Sequence, residues 1–232
     1  MSSRYGQTCP LAVASEIFAE RWTPIILREL VFGAHGFNDI HRGAPRISRA
    51  LLAKRLRDLI EAEIITGAGG EYRLTAAGQE LGEVVVQLGK WGQRWTELVQ
   101  RDRLDTRALM WDVQRRVALD RLPEKRVVVQ FDFSGVPTQP KMPRRYWLVL
   151  DRAGVDLCIL ETGHEIDLYV AADLALFSRV WHGEVPLRQA IREGAISLKG
   201  DPQAERDFPS WILLNALAGV PRPGDSTERR VA

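Results

Sequence analysis

Six cations crowd residues 41–57: Arg42, Arg46, Arg49, Lys54, Arg55 and Arg57, with no acid among them. Cations at this density either form a solvated basic face or neutralise the phosphates of a polyanion. Within the stretch, ISRALLAKRLRDLI (residues 47–60) taken alone favours the first, and the elements on either side of it reverse that preference. Leu52, Leu56, Leu59 and Ile60 recur at i, i+4, i+7 and i+8, one apolar face of a helix. Arg49, Lys54 and Arg57 fall on the opposite face, and Ser48 supplies an N-cap hydroxyl. A short helix with a leucine side and a cationic side suits the DNA major groove.

Other chemistry finds less support. The histidines, His35, His41, His164 and His182, show neither an i, i+4 pair nor a Cys/His spacing suited to a metal, so no metal or cofactor is expected. His41, beside Arg42, reads as a phosphate contact or a surface residue. There is no G-x-S-x-G elbow, and neither cysteine joins a His in a catalytic motif; no catalytic residue is expected, and the chain is not read as an enzyme. Cys9 precedes Pro10 at a helix start, where the dipole favours a reactive thiolate. Redox sensing through Cys9 is one reading and a small buried hydrophobe the other.

The chain of 232 residues is long enough for one large domain or two of ordinary size. Its 45 % hydrophobic and 27 % charged residues describe a soluble globular chain. A net charge of +2 gives no general argument for polyanion binding. Local distribution matters more: the basic excess lies in residues 1–103, which hold 14 of the 32 Lys and Arg against 12 of the 30 Asp and Glu. No apolar run approaches the ~20 residues of a membrane span, and the N-terminus lacks the apolar core of a signal peptide. Two cysteines, Cys9 and Cys158, make no disulfide framework. A cytoplasmic protein with no membrane partner is expected.

The elements that hold the cationic helix follow in order. Pro10 opens a helix with Leu11, Ala14, Ile17 and Phe18 as its stripe; Thr23 caps a second that begins at Pro24 and stops at Gly33. A short helix at 37–42 is broken by Gly43 and Pro45, and the Ser48 helix completes a helix-turn-helix. Two short strands about Gly67-Ala68-Gly69-Gly70 form a wing whose only cation is Arg73. Thr75 caps a long helix over 76–101, with Leu81, Val84, Leu88, Trp91, Trp95 and Leu98 as a heptad-like seam. A dimer interface through this seam and the first helix (Leu11, Phe18) is expected. Base-edge contacts are assigned to Arg49, Ala50, Ala53 and Lys54, and phosphate contacts to Arg42, Arg46, Arg57 and Arg73.

Beyond a charged junction at 101–105, a helix is expected over 106–121. Strands follow at 127–133, 146–150, 155–160 and 166–170, the last runs as an antiparallel meander. Helices at 173–181 and 186–192, a strand at 196–199 and a final helix after Gly200-Asp201-Pro202 complete an α+β domain.

Two resemblances add to this reading. CPLAVASEIFAERWTPIILREL, FNDIHRGAPRISRALLAKRLRDLIEAEII and YRLTAAGQELGEVVVQLGKWG, in that order, resemble the HxlR family of bacterial transcriptional regulators over residues 8–100. That resemblance implies a winged helix-turn-helix, dimeric through its first and last helices, on double-stranded DNA with a palindromic operator. Some members sense oxidants or electrophiles through an N-terminal cysteine, which Cys9 matches. IDLYVAADLALFSRVWHGEVPLRQAIREGAISLKGDP resembles the end of sterol-carrier-protein-like domains. It implies a five-stranded sheet with helices over one face and an apolar tunnel, for which Trp147, Phe177 and Trp181 are the candidate lining residues.

The domains expected are therefore 1–103 for DNA binding and dimerisation, 104–222 for an apolar small-molecule effector, and a disordered tail at 223–232. Two rival readings stay open: a thiol switch at Cys9, and a lipid carrier whose winged helix binds protein.

Overall fold

The structure, a computed structural model, describes residues 5–138 and 141–223, so the expected tail lies outside the described residues from 224 onward. The chain divides into two compact units, Met1–Gly89 and Lys90–Ala232.

In the first unit, α1 (Pro10–Phe18) and α2 (Thr23–Val31) each carry a proline in the first turn, where its missing N–H costs nothing. Thr23, expected as the cap of α2, is instead its first residue. The cap is Trp22, at φ 80°. The Thr23 amide donates to the Glu20 carbonyl at 3.0 Å, closing a tight turn that needs a left-handed residue at 22 and carries Thr23 into the helix.

Then come α3 (Phe37–Gly43) and α4 (Arg49–Glu61). Ile26, Leu27, Leu30, Ile40, Leu52, Leu56, Leu59 and Ile65 form their common core. Gly43 permits the close approach of α2 to α3, since a Cβ there would lie 2.0 Å from the Glu29 carboxyl carbon. Glu29 is fully buried; Arg28 Nε donates to it at 2.9 Å, and the same guanidinium donates to the Gly43 carbonyl at 2.9 Å. Pairing of this kind offsets the cost of burying a carboxylate.

The wing is β1 (Ile65–Ala68) against β2 (Glu71–Leu74), joined by Gly69-Gly70, both at positive φ, as a tight primed turn requires. α5 (Ala76–Trp95) runs across the boundary between the units and ends well short of residue 101. Gly89 and Gly92 weaken its last turns. The Thr96 amide and hydroxyl both donate to Gly92 O, and Arg103 donates to the carbonyl of Glu97 at 2.7 Å. The Thr96 amide bond is the last of the helical pattern, and the Glu97 carbonyl is taken by the Arg103 side chain instead.

In the second unit α6 (Thr106–Gln114) also stops early, and only a 3₁₀ turn at Leu119–Arg121 follows. Residues 116–118 are drawn out to pair with 211–213: Leu213 N donates to Arg116 O at 2.7 Å, and Ala118 N to Trp211 O at 2.8 Å. The strands are β3 (Val127–Ser134), β4 (Arg145–Asp151), β5 (Gly154–Cys158), β6 (Leu168–Asp173) and β7 (Ile196–Gly200), in the spatial order β5-β4-β3-β6-β7. Only β3, β4 and β5 make the meander expected. β6 leaves it and pairs parallel with β3, Val129 opposite Leu168. β3 opens on Val127-Val128-Val129, all buried, and alternates from Gln130 onward; it is the central strand, with β4 and β6 on its two edges. Asp167 fixes the crossover, its amide donating to Val128 O at 3.0 Å and its carboxylate accepting from Val128 N at 2.8 Å.

Residues at alternate positions, Phe131 and Phe133 on β3, Tyr146 and Leu148 on β4, and Leu168 and Val170 on β6, join one core with α6, α7 (Leu174–Trp181), α8 (Leu187–Arg192) and α9 (Pro202–Trp211). The helices therefore cover one face of the five-stranded sheet. Asp173 and Asp201 cap α7 and α9 with two amides each. Gly200 is demanded by crowding, a Cβ there falling 2.1 Å from the Asp167 carbonyl oxygen.

Candidate nucleic-acid interface

The interface begins at Ser48, whose hydroxyl accepts from the Leu51 amide at 3.2 Å and so starts α4. Leu52, Leu56 and Leu59 anchor one side of that helix in the core. Arg49, Ala50, Ala53, Lys54 and Arg57 share another side, within an arc of about 140° at 100° per residue. Ala53 is half-buried and the other four are exposed. Arg42 and Arg46, on α3 and in the turn after it, are exposed as well, as is Arg73 on the wing.

Several of these cations are held by the protein itself. Lys54 Nζ donates to Asp58 Oδ2 at 2.8 Å one turn away. Arg42 pairs with Asp39 at 3.0 Å and Arg73 with Glu71 at 2.7 Å. Arg49 donates to Asn38 Oδ1 at 2.9 Å and lies 5.8 Å from the centre of the Phe37 ring. Burial works to raise the Asp58 carboxyl, but hydrogen bonds from Lys54 and Arg55 outweigh it and hold the group below the usual carboxylate range.

Arg55, the sixth cation of the stretch, does not join this face. Its side chain is 14 % exposed and is spent on Glu20, the Arg21 carbonyl and Asp58, tying α4 back to the α1–α2 turn. His41 is spent too: its Nε2 faces the Ile47 carbonyl at 3.1 Å and braces the turn before α4. A third wing segment escaped sequence reading. Gly36 bridges to Glu71, and the Tyr72 amide donates to His35 O at 2.9 Å. Three residues without alternation carry no strand signal, and neither Phe37 nor Asn38 announces a contact 11 or 12 residues away.

The proposed seam stands in solvent. Val84, Leu88, Trp91 and Trp95 of α5 are 47–59 % exposed, Leu81 is half-buried, and α1 has no fully buried residue, with Leu11 exposed and Phe18 half-buried. Cys9, the N-cap of α1, is exposed and makes no side-chain capping bond; Cys158 is half-buried on β5.

The three aromatic residues assigned to a tunnel do not share one cavity. Phe177 and Trp181 sit in the closed core, Phe177 edge-on to Phe131 and Phe133 with centroids 5.9 and 5.4 Å apart. Trp181 Nε1 donates to Asp112 at 3.0 Å. Trp147 alternates with Tyr146 and Leu148 and so lies on the other face of the sheet. It too is buried, and its indole N–H has no partner among the described residues. Among the described residues no three His, Cys, Asp or Glu are grouped to hold a metal, and no helix is long and apolar enough to cross a membrane.

Residues 17–100 match the family model described as HxlR-like helix-turn-helix. An uncharacterized HTH-type transcriptional regulator of Mycobacterium tuberculosis is 38 % identical over 89 residues, 35 % of this chain and 56 % of that one. The chain thus spans little more than half the length of that relative. The HTH-type transcriptional regulator YodB of Bacillus subtilis is 30 % identical over 97 residues, 38 % of this chain and 87 % of YodB. Its quinone-bound crystal structure aligns with a TM-score of 0.34 at 31 % identity, over 36 % of this chain and 96 % of that one. The ubiquinone synthesis protein UbiJ-SCP2 aligns with a TM-score of 0.30 at 19 % identity, over 63 % of this chain and 93 % of that one.

Proposed function

The chain belongs to the HxlR-like helix-turn-helix family, and from that premise we propose that it is a dimeric transcriptional regulator whose DNA affinity responds to an apolar small molecule. The observation that carries DNA binding is the sidedness of α4: leucines buried, and Arg49, Lys54 and Arg57 exposed together. Arg49, Ala50, Ala53 and Lys54 meet base edges; Arg42, Arg46, Ser48, Arg57 and Arg73 hold backbone phosphates. Arg42, Lys54 and Arg73 exchange a protein carboxylate for a phosphate on binding.

The seam of Leu81, Val84, Leu88, Trp91 and Trp95, with Leu11 and Phe18, pairs two copies. Their α4 helices then meet half-sites about 34 Å apart on a palindromic site. With about four phosphates neutralised per protomer, log K against log salt falls with a slope near −7. A slope shallower than about −2 in a salt titration would overturn this binding mode.

Effector binding is assigned to residues 104–222, on the sterol-carrier-like segment and the sheet covered by helices. The ligand enters against Phe177 and Trp181 by displacing core side chains. Gln93, on the last turns of α5 and 4 % exposed, donates to the His182 carbonyl at 2.7 Å, at the end of the helix that carries both aromatics. A shift of α7 thereby reaches the helix that bears the dimer seam. Coupling of about 1–3 kcal/mol changes DNA affinity roughly 5–150-fold. Gln93→Leu in the full chain is expected to blunt that response while leaving ligand-free affinity unchanged; an undiminished response rules out the route.

A second reading moves the switch to Cys9, favoured by its exposed position at a helix start. A Cys9→Ser protein that still answers its inducer excludes it. If instead the winged helix bound only protein, Arg49→Ala with Lys54→Ala would leave no DNA affinity to lose.

A further inference from the structure

Arg49 differs from Lys54, the other cation assigned to base edges, in how it is held. It is the first residue of α4, the end from which a recognition helix reaches base edges. One guanidinium nitrogen donates to Asn38 Oδ1 at 2.9 Å, and the group lies 5.8 Å from the centre of the Phe37 ring. Both partners belong to α3, so the guanidinium is fixed by the neighbouring helix and not by its own. Among the described residues its other N–H groups make no hydrogen bond to the protein. Lys54 makes the contrast: a single ammonium on a flexible stem, turned to a carboxylate on its own helix.

We infer that Asn38 and Phe37 are positioning residues that pre-set Arg49 to read a guanine in the major groove. This rests on the DNA binding proposed above. With one terminal nitrogen engaged by Asn38, the remaining edge of the guanidinium presents two parallel N–H donors. Guanine offers two acceptors side by side on its major-groove edge, O6 and N7, whereas adenine offers N7 next to a donor. An arginine already ordered gives up less rotamer freedom on binding, and a fixed fork penalises the wrong base more than a mobile one does. Asn38 is exposed, so its replacement leaves the core of the first unit intact.

The test begins by selecting from a random-sequence duplex pool with the full chain. The enriched duplex is then compared with versions in which each half-site guanine is changed to adenine or to 7-deazaguanine, which lacks N7. The expected result is one guanine per half-site whose change to adenine costs the wild type about 10–100-fold in affinity, with 7-deazaguanine also costing affinity. Asn38→Ala should shrink that preference to less than about 5-fold, Arg49→Ala should abolish it, and Asn38→Asp, which keeps an acceptor, should preserve it. Asn38→Ala should bind the adenine-bearing duplex about as well as the wild type does, whereas Arg49→Ala should bind the guanine and adenine duplexes equally and more weakly. If Asn38→Ala and Arg49→Ala weaken every duplex alike and leave the guanine preference intact, Arg49 is a phosphate anchor and the inference is overturned while DNA binding stands. If no sequence is enriched and binding is nearly insensitive to salt, the proposed function fails first and the inference with it.

Discussion

Trp91 and Trp95 on α5 are 56 % and 59 % exposed, whereas Trp181 and Trp211, packed on the five-stranded sheet's core, are 2 % and 1 % exposed. In that core the aromatic rings close on one another. Phe131 meets Phe133, Phe177 and Phe208, and Phe208 meets Trp211, with centroids 5.9–6.5 Å apart. On α5 the apolar residues instead recur at heptad spacing along a helix with no cover on that side. Burying one such side chain is worth about 1.5–3 kcal/mol, and contiguous exposed apolar patches mark interaction sites. Aromatic content alone therefore does not say where a core is. Sheet alternation with helices above it closes a core within the chain; a lone helical stripe leaves its apolar side exposed.

The comparison breaks most readily at Phe131. If the second-unit cluster is a closed core, Phe131→Ala should cost about 3–5 kcal/mol in denaturant unfolding of the full chain. A loss under about 1 kcal/mol would mean a loosely filled interior. Trp91→Ala with Trp95→Ala should act on association instead. It should weaken dimerisation by about 2–4 kcal/mol in sedimentation equilibrium, with little effect on protomer unfolding. A large loss of protomer stability would place those rings in a core after all.

His182, at the end of α7, tests how dry the second unit is. Burial lowers the His182 pKa, partly opposed by the charges of Glu184 and Asp112. The unfolded chain then binds the proton more readily than the fold, so stability is fully present above the unfolded value near 6.5 and declines as pH falls below it. His182→Gln should flatten that acid-side decline in melts between pH 7 and pH 5; an unchanged slope would assign it to other groups.

The smallest change is a control on the helix both regions leave alone. Glu63 follows α4 at φ 56°, its amide donating to Ile60 O, and the Ile64 amide donates to Leu59 O, a cap that favours glycine. Glu63→Gly should raise stability by about 1 kcal/mol without altering association.

Much of the first unit was readable because its signals are local. Leucines at i, i+4 and i+7 predict the buried side of α4, and Ser48 and Thr75 cap where hydroxyl residues precede periodic runs. Pairings across distance were not readable: the Gly36 bridge to the wing, the parallel docking of β6 on β3, and the removal of Arg55 from the cationic face. Helix lengths erred the same way. α6 stops where residues 211–213 take up the backbone hydrogen bonds of 116–118, and that competition has no local signature.

By itself the sequence determined the order of elements, the cationic side of α4, the heptad stripe and the α+β character of the second unit, since all depend on spacing along one chain. Tertiary structure decided which cation has a partner, which face of the sheet a tryptophan occupies, and which helix holds Arg49. Each depends on atoms brought together from residues far apart in the sequence, where side-chain periodicity carries no information.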